Sequence, residues 1–262
     1  MPDRGCSIAA MPQLADRLAA AGFLSAREEA EELRAWAGGD GRLLEELVAR
    51  RLTGEPLAWI VGSAAFCGLR VGVDPGVYVP RPHTEQLALC AAARLPAQGT
   101  AVDLCTGSGA VAAVLAHRRP SATVIATDVD ERAVACARAN GVDARRGDLF
   151  APLPAAIRGR VDVVAAVVPY VPTAALGSLQ RDTFAHETPF AYDGGPDGMA
   201  ILRRTLEGSG AFLRPGGALL VELGGDQAAL LADDLGRLGF GAVAVLADED
   251  GDVRGIEATW KG

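Results

Sequence analysis

Lysine is almost absent from this chain. Lys261 is the single lysine among 25 basic residues, and the formal net charge is −8. A general nucleic-acid binder needs a basic footprint, so direct nucleic-acid binding is not expected. The arginine bias reads as compositional. Cysteine is sparse: Cys6, Cys67, Cys90, Cys105 and Cys136 are odd in number, widely spaced and free of any Cys-x-x-Cys pair. Histidine is limited to His83, His117 and His186. Neither set has the spacing of zinc ligands, so no metal site is expected. Unpatterned cysteines suit a reducing cytoplasm, the expected location. Asp3 and Arg4 are followed by no long apolar core, which argues against a signal peptide. No apolar run approaches the roughly 20 residues needed to span a bilayer, so no membrane association is expected.

What is present is material for a large core. Half of the 262 residues are hydrophobic, enough for one large domain or a large domain with a small companion. The organising stretch is Val102-Asp103-Leu104-Cys105-Thr106-Gly107-Ser108-Gly109. Residues 100–104 read as a short buried strand and the alanine- and valine-rich run 110–117 as a helix, with a glycine turn between them. Strand, turn and helix form the first half of a nucleotide-binding α/β unit. The glycines let the backbone pass close to a ligand, which a Cβ would block. Asp128 ends a second apolar run, Val124-Ile125-Ala126-Thr127, where an acid is placed to accept both hydroxyls of a ribose.

The turn departs from the dinucleotide fingerprint, because position 112 is alanine and Asp103 lies inside the strand end. A pyrophosphate wants free turn N–H groups and no nearby anion. An adenosyl sulfonium carrying an ammonium group is better served by Asp103. Asp-x-x-Thr-Gly-Ser-Gly resembles the first motif of class I S-adenosylmethionine-dependent methyltransferases. That resemblance implies that the acid and turn face the methionine part of the cofactor and that Asp128 binds the ribose.

Along the chain, Leu14, Leu18 and Ala21 have helical spacing over 11–22. A second helix is expected over 25–37, with Ser25 as N-cap and Glu28 completing a capping box. A third is expected over 41–52. These helices form a small N-terminal bundle, and the acidic run Glu28-Glu29-Ala30-Glu31-Glu32 reads as a solvated helix face. Residues 65–73 alternate enough for a strand or hairpin. Tyr78-Val79-Pro80-Arg81-Pro82 is stiffened by its prolines, and a helix resumes over 84–93. Strands are expected at 100–104, 123–127, 142–146, 161–166, 217–223, 241–246 and 254–260. Helices are expected at 109–118, 130–140, 198–212 and 226–238. This is an α/β doubly wound sheet of seven strands, with ligands at the carboxyl ends. The expected organisation is an N-terminal helical domain and linker hairpin over 1–75, then a cofactor-binding domain over 76–262. The stretch 169–197 has little regular pattern and reads as a substrate-facing loop.

Several segments together resemble the bacterial protein-(glutamine-N5) methyltransferases that modify peptide-chain release factors. They are Arg51 with Gly54-Glu55-Pro56-Leu57-Ala58, Phe66-Cys67-Gly68-Leu69, and Val79-Pro80-Arg81-Pro82-His83-Thr84-Glu85. Asp103 to Gly109, Asp128, Gly147-Asp148-Leu149-Phe150 and Glu187-Thr188-Pro189 continue the series. Asp193-Gly194-Gly195-Pro196-Asp197-Gly198 and Leu220-Val221-Glu222-Leu223-Gly224 complete it. The resemblance implies a class I methyltransferase (Rossmann-like) fold and S-adenosylmethionine as cofactor. It implies a cofactor site of Asp103, Cys105, Thr106, Gly107, Ser108, Gly109, Asp128, Asp148, Leu149 and Val167, with Asp148 and Leu149 flanking the adenine. Cys105 replaces a glycine of the family turn. Pro80, Arg81, Tyr170 and His186 are the expected substrate contacts, with Tyr170 as a pocket wall. A release factor is the implied partner, received by the N-terminal helices and the 54–82 segment.

The departure falls at the chemical centre. The family places Asn-Pro-Pro-Tyr after the fourth strand, where this chain has Val167-Val168-Pro169-Tyr170. By resemblance these four are the catalytic positions. In the family the asparagine and an adjacent backbone carbonyl accept hydrogen bonds from the glutamine amide and orient its nitrogen. An amide nitrogen is a poor nucleophile, so alignment and proton withdrawal matter. Valine has no acceptor. Three readings stay open from the residues alone: methylation of a glutamine amide through backbone carbonyls and Tyr170, methylation of a different, small-molecule acceptor, or cofactor binding without turnover. His83 also departs, standing where the family commonly has an acid. It reads as a loop histidine or as a base near the pocket. His117, beside Arg118 and Arg119, reads as a cation at a helix C-terminus.

Overall fold

The computed structural model describes residues 10–179 and 186–262. Amphipathic spacing gives helices α1 (Ala10–Ala20), α2 (Ala26–Ala37) and α3 (Gly41–Leu52). Leu18, Ala30, Leu33, Leu47 and Val48 close on one another as their shared apolar cluster. Ser25 does not cap α2 through its side chain, against expectation. Its backbone carbonyl takes the Glu29 N–H instead. Asp40 is the side-chain cap that spacing missed, accepting from the N–H groups of Arg42 and Leu43 at the start of α3.

The acidic run is only partly a solvated face. Glu29 reaches across to Arg51, which is almost fully buried and binds both carboxylate oxygens at 2.6 and 2.9 Å. Arg51 also donates to the Glu55 carbonyl and lies 3.7 Å from the centre of the Phe23 ring. The chain then turns into α4 (Leu57–Val61), a short helix the sequence reading missed. The hairpin β1 (Ser63–Phe66) and β2 (Leu69–Gly72) follows. Its two-residue turn is Cys67-Gly68, with φ of 49° and 79°. Two successive positive φ angles are what a tight hairpin requires.

Beyond α5 (Thr84–Arg94) comes the large sheet: β3 (Thr100–Leu104), β4 (Thr123–Asp128), β5 (Asp143–Arg146), β6 (Val161–Ala166), β7 (Leu213–Glu222), β8 (Phe240–Ala247) and β9 (Val253–Trp260). Its order is β5-β4-β3-β6-β7-β9-β8. The first five in this order pair in parallel, and β9 runs antiparallel to both its neighbours. Both faces are covered, which is why strands such as β6 are apolar at nearly every position. On one face Val102, Leu104 and Val164 pack with Leu202 and Leu206 of α8 (Ala200–Ser209). On the other, Ala101, Val163 and Ala165 pack with Leu87 and Ala91 of α5 and with Val111, Val114 and Leu115 of α6 (Ala110–Arg118). Helix α7 (Glu131–Ala139) joins β4 to β5.

Several expected bounds move, and β7 begins at Leu213 rather than at 217. The helix over 198–212 is α8, delayed by Gly198 at φ 72° and ended at Gly210. The helix over 226–238 is two pieces, α9 (Gln227–Leu230) and α10 (Ala232–Arg237), between which Leu231 is fully buried. The 169–197 stretch carries short 3-10 turns at Thr173–Ser178 and Pro189–Ala191 and a bridge from Val171 to Asp193. Among the described residues no helix is long and apolar enough to cross a membrane.

Candidate active site

Strand order locates the site. From β3 the chain winds outward through β4 and β5, then returns to β6 on the other side of β3. Leu104 and Ala166, the last residues of β3 and β6, are register partners. The loops that leave them diverge and open a crevice at the carboxyl ends. Cys105 and Val167 are the first residues of those loops. Both line a cavity of about 430 Å3, with Gly107, Asp128, Tyr170, Tyr78 and Arg81.

On the β4 side, Asp128 is braced by two backbone donors. Gly107 N–H binds one carboxylate oxygen at 2.9 Å and Asp130 N–H binds the other at 2.9 Å. Burial raises the Asp128 pKa, and these N–H groups oppose the rise. The carboxylate therefore faces the cavity with lone pairs to spare for a diol.

Asp103 sits deeper. It lines a smaller void of about 30 Å3 with Pro80, Thr106 and Ser108, beyond the shared walls Tyr78, Cys105 and Val167. Its Oδ2 accepts from the Thr106 hydroxyl at 2.5 Å and from Ala112 N–H at 3.2 Å. Burial pushes its pKa up to about 7, with those two hydrogen bonds pulling the other way. A buried carboxyl poised in this way is stabilised as an anion by an arriving cation, and an ammonium group fits. The diol acceptor and the cation acceptor together suit S-adenosylmethionine.

The two glycines of the turn have different work. Gly107, at φ 56°, lines the cavity, and a Cβ there has only Tyr78 atoms at 3.8 Å or beyond. Gly109, at φ 83°, does not line it: a Cβ would come within 3.0 Å of Ala137 Cβ. Its smallness lets α6 start against α7 rather than admitting a ligand. Cys105 also has positive φ, 55°, which accounts for a glycine there in the resembled motif. Burial raises the thiol pKa.

Other predicted residues lie elsewhere. The Asp148 side chain points to Arg204 at 2.5 Å and is half exposed. Leu149 is buried in the core with Val102 and Leu202, outside the cavity lining. His186 is absent from the cavity wall. Its Nε2 is 3.4 Å from the Thr53 carbonyl oxygen and its ring meets Trp59 edge-on, so it packs against the end of α3.

The loop after β6 is tightly cradled. Val167, Val168, Pro169 and Tyr170 all line the cavity, and Val168 is also buried against the core. A Cβ on Gly194 would lie 2.8 Å from the Pro169 carbonyl, and one on Gly198 would lie 2.3 Å from the Tyr170 carbonyl. The Gly-rich 193–198 segment therefore acts as a close-fitting backing for this loop. Gln227 completes it, donating to the Tyr170 carbonyl at 2.8 Å and accepting from Gly224 N–H at 3.0 Å.

Two buried acids were overlooked as site residues. Glu222, at the end of β7, accepts from the Tyr170 hydroxyl at 3.1 Å and the Thr84 hydroxyl at 2.5 Å, and lies 3.3 Å from His83 Nε2. Glu187 accepts from Val79 N–H at 2.8 Å and from Arg81 and the Tyr192 hydroxyl. It fastens the 187–192 segment over the cavity to the proline-stiffened stretch. The signal for Glu222 was present: an acid ending a buried strand, as with Asp128. Burial raises the Tyr170 pKa, and the neighbouring Glu222 adds to the rise.

The chain is similar to known proteins over most of its length. Residues 73–150 match the family described as methyltransferase small domain. A release factor glutamine methyltransferase of Moorella thermoacetica is 39% identical over 252 residues, covering 86% of this chain and 87% of the relative. One from Mycolicibacterium smegmatis is 41% identical over 78% of this chain and 80% of its own length. The chain belongs to the release factor glutamine methyltransferase family. Among solved structures, the E. cuniculi Mtq2–Trm112 complex, described as responsible for methylation of the eRF1 translation termination factor, matches with TM-score 0.51 at 25% identity. It covers 71% of this chain and 99% of that one. A Pyrococcus furiosus methyltransferase matches in fold with TM-score 0.51 at 21% identity, covering 86% of this chain and 99% of its own. The fold is that of the class I S-adenosylmethionine-dependent methyltransferases.

Proposed function

We propose that this protein transfers a methyl group from S-adenosylmethionine to the side-chain amide nitrogen of a glutamine in a peptide-chain release factor. The observation that carries the reading is one cavity holding both halves of the chemistry. Asp128 and Gly107 line it from the cofactor side, and the Val167–Tyr170 loop lines it from the acceptor side. Family membership supports the same reaction class.

The bound cofactor supplies an electrophilic methyl group on a sulfonium sulfur. The chain's task is to orient an acceptor against it and to exclude water. In this reading Asp128 takes the ribose diol, Asp103 faces the ammonium end, and Gly107 lets the backbone approach. Tyr78, Tyr192 and Phe190 give the acceptor an apolar approach. The helices up to Val61, with their own apolar cluster, form the unit that receives the release factor.

The test is direct. Purified protein, radiolabelled S-adenosylmethionine and a full-length bacterial release factor are combined, and peptide mass spectrometry locates any gained methyl. Modification of one glutamine is expected. Label on no glutamine despite cofactor binding would overturn the reading.

A second reading rests on Val167. An apolar side chain stands on the cavity wall at the position that the resemblance gives to an amide-gripping asparagine. That favours a different, small-molecule acceptor, which a metabolite panel in the same assay would detect.

A further inference from the structure

The cavity contains a proton-handling group that the methyl-transfer reading above does not use. His83 is the residue immediately before α5, and its ring lines the cavity with Val167 and Tyr170. Its Nε2 lies 3.3 Å from Glu222 Oε1, the same oxygen that accepts from the Tyr170 hydroxyl at 3.1 Å. Thr84 fills the other oxygen at 2.5 Å. Glu222 is buried to 1% exposure, and three elements converge on it. An ionised carboxylate only accepts, so the Nε2 facing it carries the hydrogen and the lone pair falls on Nδ1.

We propose that His83, oriented by Glu222, takes up the proton that the acceptor nitrogen sheds as it is methylated. This deepens the glutamine reading and rests on it. The nitrogen lone pair forms the new N–CH3 bond. The S–CH3 bond breaks with its electron pair left on sulfur, giving a neutral thioether. One N–H proton passes to Nδ1 of His83, so the positive charge of the sulfonium reappears as imidazolium beside the Glu222 carboxylate. The His83 side chain is 32% exposed, which gives the proton a route to water.

The other groups on the cavity wall are less suited. Burial raises the Tyr78 and Tyr170 pKa values, so both phenols keep their protons at neutral pH. Arg81 is a cation, and Asp128 and Asp130 stand on the cofactor side. The charged and titratable groups set against the imidazole are Glu222, 3.3 Å from Nε2, and Tyr170, bound to the same Glu222 oxygen, with Arg81 and Tyr78 on the same cavity wall. A base also answers the need Val167 leaves, because without the asparagine no side-chain oxygen at that position draws on the amide hydrogens.

Two measurements test this on the full chain. The first is methylation of a full-length bacterial release factor against pH, with wild type and His83→Asn. The wild-type kcat should fall about tenfold per unit below the imidazole pKa. The variant should lose about 100-fold in kcat and become insensitive to pH over that range. Its cofactor affinity, its KM for the release factor and its melting temperature should be unchanged. The second is NMR of the imidazole nitrogens in cofactor-free protein, tractable because the chain has only 3 histidines. Wild-type His83 should carry its hydrogen on Nε2, and Glu222→Gln should lose that preference, since an amide can also donate to the ring. A His83→Asn variant with wild-type kcat and pH profile, or one whose loss is all in cofactor affinity, overturns the proposal. So does a His83 ring whose tautomer ignores Glu222→Gln. If wild type itself methylates no glutamine, the functional reading falls first and this inference with it.

Discussion

Thr106 donates its hydroxyl hydrogen to Asp103 across three residues, at 2.5 Å, and so closes the turn between β3 and α6 on a buried carboxyl. Ala112 N–H adds a second bond to the same oxygen. Asparagine at 103 would keep that oxygen and drop the charge. Because burial pushes the Asp103 pKa up to about 7 from 3.8, the native state binds a proton that the unfolded chain releases. Its contribution to stability is complete below about pH 4 and is lost as pH rises through about 7. Asp103→Asn should therefore match wild type in thermal stability near pH 4. It should exceed wild type above pH 7 in cofactor-free protein, by at most about 4 kcal/mol. The same variant should bind S-adenosylmethionine more weakly. Paired melting curves at several pH values and calorimetry at pH 8 read both effects. Equal melting temperatures at pH 8 would remove the buried charge from the account.

Asp128 offers a complementary measurement. Asp128→Ala removes the carboxylate that faces the cavity and also the acceptor for Gly107 N–H. The loss in cofactor affinity should be about 2 kcal/mol, the value of a charge-assisted hydrogen-bond pair. Titration calorimetry with S-adenosylmethionine decides it, and an unchanged Kd would exclude Asp128 from the site.

The glycines of the turn should separate cleanly. Gly109→Ala must place a methyl 3.0 Å from Ala137 Cβ at φ 83°, so it should cost folding stability, roughly 2 kcal/mol or more. Gly107→Ala meets nothing closer than 3.8 Å. It should cost about 1 kcal/mol from its backbone angle and lose cofactor affinity instead. Denaturant unfolding and calorimetry on both variants give the comparison. The reverse pattern would mean that Gly109, not Gly107, borders the cofactor.

Periodicity was enough for the sheet, because buried parallel strands are short apolar runs between glycine and proline breaks. Val161–Ala166 and Thr100–Leu104 fall on their expected bounds. It was not enough for α4, whose five residues lie too soon after Pro56 for a 3.6-residue repeat to register. Long-range pairings were illegible for a different reason. Arg51 and Glu29 are 22 residues apart, and Tyr170 and Glu222 are 52 apart. Nothing local marks such partners. Asp128 was legible as a strand-terminal acid, a local pattern, whereas the approach of His186 to the Thr53 carbonyl joins residues 133 apart in sequence. The Gly-rich segment 193–198 was recognisable only as a motif. Its purpose, backing the Pro169 and Tyr170 carbonyls, depends on residues more than 20 positions away in the chain.

Val167 gives the most informative substitution. It leaves β6 beside Cys105, lines the cavity, and packs against the apolar cluster of Phe66, Leu87 and Val111. If the protein methylates a glutamine amide, Val167→Asn supplies an acceptor to the reacting nitrogen. One oriented hydrogen bond of about 1.5–3 kcal/mol should then raise kcat on a release-factor glutamine by roughly ten- to a hundredfold. If the cavity is shaped for another nucleophile, the same amide meets an apolar wall. It should then depress the native reaction while leaving glutamine unmodified. The two outcomes have opposite signs, so assays on a release factor and on a panel of amine, hydroxyl and carboxylate metabolites separate them. Mass spectrometry for one added methyl reads both. The cradle predicts which way folding should go: Val168 remains in the core and Gly194 and Gly198 still back the loop. The substitution should therefore lower stability by no more than about 1–3 kcal/mol, the usual penalty for placing an amide against apolar neighbours. A variant that melts like wild type and gains rate on glutamine would assign Val167 as a brake on this reaction rather than a switch to another.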